Sequence, residues 1–153
     1  MLPQLYFEDF EIGKTYESPA RTITDGHNQM FVGLTGDNHP IHYDLEYCKS
    51  RGYPEKLAHG LLNACQTAMG ASTLSPQTYE CIIGFLEFSA KFLAPVFIGD
   101  TLYPKLMITD LIPKRTAGVL KVRVTIHNQR DEMVLDGEHV YLVKKRPQAG
   151  EVA

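Results

Sequence analysis

Seven consecutive residues, Gly36 to His42 (GDNHPIH), carry a carboxylate, two imidazoles, an amide and a proline. Aspartate is ionised at neutral pH and histidine sits near its titration midpoint. An Asp and a His that converge on one water can therefore take a proton from it and return one. That is the chemistry of adding or removing water. Two other readings compete with it. As a metal site, Asp37, His39, His42, Asp44 and His59 offer suitable donors, but Pro40 keeps His39 and His42 off one helical face, against the usual tight two-ligand spacing. As a plain turn, Gly36, Asp37 and Asn38 are strong turn formers, and Pro40 holds His39 extended. The turn accounts for the Gly, Asn and Pro. It does not account for Asp37 and His42 five residues apart, with a second His-Gly pair, His59 and Gly60, opening an apolar stretch downstream. Chemistry beside a carbonyl also needs an oxyanion binder. Free N–H groups at a helix start suit that task, and Gly60 would let a ligand approach the backbone closely.

These residues need elements to hold them. TYESPARTIT (15 to 24) reads as a strand, and Thr24 or Asp25 then caps a short helix through GHNQMFVGL with Met30, Phe31 and Leu34 on one side. DLEYCKSRG (44 to 52) reads as a second helix, N-capped by Asp44 and stopped at Gly52. AHGLLNACQTAMGAS (58 to 72) is apolar or small nearly all round, which predicts a buried helix on the order of 20 Å long. Beyond Pro76 the pattern changes to four strands, near 79 to 92, 101 to 111, 117 to 128 and 133 to 144. In VLKVRVTI, Leu120, Val122, Val124 and Ile126 alternate with Lys121, Arg123 and Thr125, the mark of a strand with one wet face. A buried helix followed by an antiparallel meander is an α+β arrangement in which the sheet wraps the helix.

Composition narrows the function classes. The chain has 153 residues, 44% hydrophobic and 22% charged, the balance of one soluble globular domain, expected to span 1–153 with a core from about 6 to 146. A net charge of −3 and a pI near 6.0 remove the main electrostatic reason to expect nucleic-acid binding. The longest apolar runs fall well short of the roughly 20 residues of a membrane span. The acidic start MLPQLYFEDFEIG does not read as a secretory signal, so a cytoplasmic setting is expected. Cys48, Cys65 and Cys81 are odd in number and lack CxxC spacing, which points to reduced, buried side chains.

GDNHPIH resembles the G-D-x-N-P-[aliphatic]-H signature of R-specific enoyl-CoA hydratases and the wider MaoC-like dehydratase family. YFEDFEIG with RTIT, LAHG and FLAPVFIGDTL resemble three further stretches of that family in the same order, covering residues 6 to about 102. The resemblance implies a single hot-dog domain, an antiparallel sheet curled around a long central helix, usually as a homodimer whose sheets join edge to edge. It implies an acyl-CoA or acyl-carrier thioester substrate and no metal or redox cofactor. It assigns Asp37 and His42 as the catalytic pair and the Gly60 N–H to the thioester carbonyl. Asn38, His39, Pro40, His59 and Thr67 are expected to contact substrate. His39 departs from the family pattern, which has Asn there, and Ala68 falls where some hydratases carry serine. A hot-dog thioesterase and a non-catalytic thioester-binding module are the alternatives. The first would be expected to carry an acid on the long helix, where residues 58 to 72 have no Asp or Glu, and the second would leave the intact Asp37 and His42 unexplained.

Overall fold

The computed structural model describes residues 2–148. Its frame is an antiparallel sheet of β1 (Thr15–Glu17), β2 (Arg21–Thr22), β3 (Ile82–Phe92), β4 (Thr101–Pro113), β5 (Ala117–His127) and β6 (Met133–Lys144). The order is β1-β4-β5-β6-β3, with β2 pairing the start of β4. The expected strand at 15 to 24 is thus two short pieces, parted at Ser18–Ala20, where Pro19 can donate no ladder hydrogen bond. The four later strands lie where the alternation put them. Leu120, Val122, Val124 and Ile126 are fully buried, as are Leu102, Leu106 and Ile108 of β4.

The sheet curls because its pairing is interrupted. Register shifts occur at Ile82/Gly84 and Phe85/Glu87 between β3 and β6, and at Ile108/Asp110 between β4 and β5. Gly137 of β6 lets β3 cross closely: a Cβ there would stand 2.4 Å from the Ser89 carbonyl oxygen.

Among the described residues there are three α-helices, of which α1 and α3 bury residues in the core formed with the sheet. α1 (Asp25–Thr35) is capped by Thr24, whose N–H donates to His27 Nδ1 at 3.0 Å. Its inward residues are Asn28 and Phe31, whereas Met30 and Leu34, expected beside Phe31, are exposed. Residues 30 and 31 point some 100° apart on a helix, so only one of them can face the sheet. α2 (Leu45–Ser50) begins as expected, with Asp44 Oδ1 accepting from the Tyr47 N–H at 3.0 Å.

The expected 15-residue central helix is much shorter. α3 covers only Gly60–Cys65, and a 3-10 turn, Met69–Ala71, follows it. Gln66, Thr67 and Ala68 each donate to the carbonyl three residues back, tightening the last turn before Ala68 leaves at φ −52, ψ 122. Nor is the segment buried all round. Leu62, Asn63 and Ala64 face the sheet, while Leu61 and Cys65 are exposed, so Cys65 departs from the buried thiols Cys48 and Cys81. The sheet wrapped on α3 is nonetheless the hot-dog arrangement. Among the described residues no helix is long and apolar enough to cross a membrane.

Candidate active site

Gly36 ends α1 in the left-handed region, φ 75°, with its N–H donating to Val32 O at 2.7 Å. A side chain is disfavoured in that conformation, and the reversal releases Asp37 into an exposed turn. Pro40 then opens a 3-10 turn, Pro40–His42, that carries His42 inward. His39 caps this turn, its Nδ1 accepting from the Ile41 N–H at 3.3 Å, and its ring meets Tyr47 edge-on at 5.8 Å. The imidazole therefore does the capping work open to an asparagine.

The far wall is the segment before α3. Ala58 N–H donates to Val96 O at 2.9 Å and Leu57 N–H to Ile41 O at 3.1 Å, tying the wall to both the β3–β4 connection and the turn. His42 Nδ1 lies 2.9 Å from the Leu57 carbonyl oxygen. A carbonyl can only accept, so Nδ1 carries the proton and Nε2 presents a lone pair. The His42 pKa is lowered chiefly by burial, with His59 and His39 adding to the effect; the Leu57 hydrogen bond and Asp37 oppose it.

Asp37, His42 and His59 each bring a ligand-capable atom within 4.8 Å of the others. His59 lies face to face beneath His42, ring centroids 3.7 Å apart and planes 23° from parallel. Its Nδ1 is 3.1 Å from Asn28 Oδ1 and its Nε2 is 2.9 Å from the Asp37 carbonyl oxygen. Both ring nitrogens thus lie within hydrogen-bond distance of a protein oxygen. His39 and Asp44 are likewise occupied in capping.

His59 was expected to touch substrate. At 1% exposure, with both nitrogens bonded to protein, it supports the turn instead. Asn38 is exposed beside His42 on a hollow of about 300 Å³ that also takes in Asn28, Lys56 and Asp25. Pro40 is half-buried in the turn. Gly60 is the first residue of α3, with the Phe92 ring against it.

Asn28 had no role in the sequence reading, and no motif marks it. Its amide nitrogen, in a side chain only 3% exposed, lies 3.0 Å from both the His42 and Leu57 carbonyl oxygens. One side chain thereby joins α1, the turn and the wall. The only signal in the sequence is an asparagine three residues before Phe31, on the face that turned out to point inward.

Thr67 lies away from the dyad, on an apolar groove of about 270 Å³ with Leu61, Cys65, Ala68, Phe85 and Phe88. Its hydroxyl donates to Ala64 O at 2.7 Å, so it accepts from His139 Nε2–H at 3.0 Å, and His139 Nδ1 in turn accepts from the Tyr141 hydroxyl at 2.8 Å. Burial pushes His139 down to about 4 and Tyr141 up to about 12.

The fold defines the class: a hot-dog domain, here with Asp37 and His42 carried on one turn beside the segment that leads into α3. A model of the MaoC-like domain matches residues 9–130. The chain is 33% identical to a 3-hydroxybutyryl-CoA dehydratase of Methylorubrum extorquens, over all of this chain and 95% of that one. It is 29% identical to an (R)-specific enoyl-CoA hydratase of Rhodospirillum rubrum, over 92% and 93% of the two chains. A Mycobacterium tuberculosis protein with a double hot-dog fold superposes at a TM-score of 0.79 and 24% identity, covering 97% of this chain and 47% of that one. The chain belongs to the MaoC-like domain family.

Proposed function

We propose that this protein is a hydro-lyase that interconverts 2-enoyl-CoA and 3-hydroxyacyl-CoA through Asp37 and His42. The observation that carries the reading is the His42 Nδ1–H bond to Leu57 O, which leaves Nε2 as an acceptor on a ring that has a nitrogen within 4.8 Å of an Asp37 carboxylate oxygen. A carboxylate and a neutral imidazole nitrogen both accept. A water between them donates one hydrogen to each, and its lone pair is left to face the substrate. On hydration that lone pair bonds to Cβ, and the π pair moves toward the thioester carbonyl. One member of the pair takes a proton from the water, and the pair passes that proton on to Cα, so that one water is added whole. Dehydration runs the same steps in reverse. Which member acts as base belongs to the pair. The Gly60 N–H, at the start of α3, would hold the thioester oxygen as charge builds on it. Coenzyme A or an acyl carrier bears the substrate, and no cofactor takes part.

The acyl chain would follow the exposed side of α3 along Leu61, Cys65 and Ala68 toward Phe85 and Phe88. We also propose a homodimer. Among the described residues β3 ends the sheet and pairs only β6, and it shows Ile83, Phe85, Leu86, Phe88 and Phe92 to solvent.

The test follows loss of enoyl-thioester absorbance with a short 2-enoyl-CoA. Hydration is expected, and Asp37→Asn and His42→Ala are each expected to lower kcat about a hundredfold or more. Because the His42 pKa is lowered, its neutral form persists to more acid pH, so the acid-side midpoint should lie below about 6.5. Free thiol released without hydration would make the protein a thioesterase.

A further inference from the structure

We infer that His59 is held as an imidazolium beneath the catalytic pair, clamped between Asn28 and the Asp37 main chain, and that its charge keeps His42 in the uncharged, proton-accepting form. Counting donors and acceptors leads there. The Asn28 amide nitrogen faces two carbonyl oxygens at 3.0 Å, and the flipped amide would set oxygen against oxygen twice, so the orientation is fixed. Asn28 Oδ1 therefore faces His59 Nδ1 as an acceptor, and the Asp37 carbonyl oxygen faces Nε2 as another. A neutral imidazole owns one N–H and would aim a lone pair at one of these oxygens. In a ring 1% exposed, that mismatch is costly. Only the doubly protonated ring satisfies both.

A buried cation needs a counter-charge. The Asp37 carboxylate supplies it from the catalytic turn. The other groups facing the ring are His42, stacked at 3.7 Å, and from α1 the uncharged Asn28 and Phe31, the latter at 4.9 Å. His59 is a positioning residue: it holds the Asp37 main chain by a charge-assisted bond and opposes a second positive charge on the ring above it. The protonation state rests on hydrogen bonding alone, whereas its effect on catalysis rests on the hydratase reading.

The experiment labels histidine with 15N and records one-bond N–H correlations at neutral pH. His59 is expected to show protons on both nitrogens. Its signals are assigned by their loss in His59→Gln or, should that variant not fold, by through-bond correlation from the backbone. One bare nitrogen on His59 overturns the inference. In folded His59→Gln, which keeps an N–H for Asp37 O but no charge, the acid-side midpoint of hydration should rise by about one pH unit, given a charge removed so close to His42. A residue of structural role alone would lower kcat equally at every pH, and an unmoved midpoint therefore overturns the charge role. If wild-type protein hydrates no enoyl thioester, the hydratase reading fails, and the 15N spectrum still decides the imidazolium.

Discussion

An imidazole caps the turn that carries Asp37 and His42, and the cap is a single exposed hydrogen bond from the Ile41 N–H to His39 Nδ1. Asparagine can accept the same bond, so His39→Asn should leave stability and hydration within about threefold of wild type. His39→Ala leaves the donor without its protein partner and should cost about 1 kcal/mol, read as a lower urea midpoint at unchanged slope. A His39→Ala protein as stable as wild type would show that the cap contributes nothing. At this scale the sequence marked the residues of the proposed pair but not the residues that hold them. Asp37 and His42 stood out because a turn accounts for the Gly, Asn and Pro of this stretch but not for its acid and imidazole. Asn28 and His59 did not reveal their work, since each acts on a main-chain carbonyl distant in sequence, and spacing carries no record of such partners.

The α3 segment shows what periodicity leaves out. Its apolar composition predicted a long helix, yet it unwinds at Thr67, whose hydroxyl is drawn to His139 of β6 and to Ala64 O. Nothing within residues 58 to 72 announces an anchor 72 positions away. The Thr67, His139 and Tyr141 chain of bonds also has a pH consequence. The folded His139 pKa is depressed to about 4 from 6.5. The folded state therefore favours the neutral ring, and this contribution is complete above the unfolded value and lost as pH falls from about 6.5 toward 4. The loss is about 3 kcal/mol at most. Urea midpoints of wild type should drop across that window, and His139→Gln should flatten the drop while lowering stability at pH 8. Parallel curves for the two proteins would remove His139 as the source.

At the scale of the whole molecule, the exposed edge and aromatic face of β3 argue for a second copy. Phe88→Asp places a charge there, and its sedimentation mass is expected to be half that of wild type; equal masses would move the interface elsewhere. By itself the sequence determined the four later strands, because period-two alternation follows directly from a sheet with one wet face, and it determined the turn that carries Asp37 and His42, because Gly36 and Pro40 constrain the backbone locally. It also determined the family, through motifs held in order. The tertiary structure alone decided where α3 stops, which side of α1 faces inward, and that His59 lies stacked under His42 with both nitrogens on carbonyl or amide oxygens. Those outcomes are set by hydrogen bonds and packing between distant segments, and they exist only once the sheet has closed around the helix.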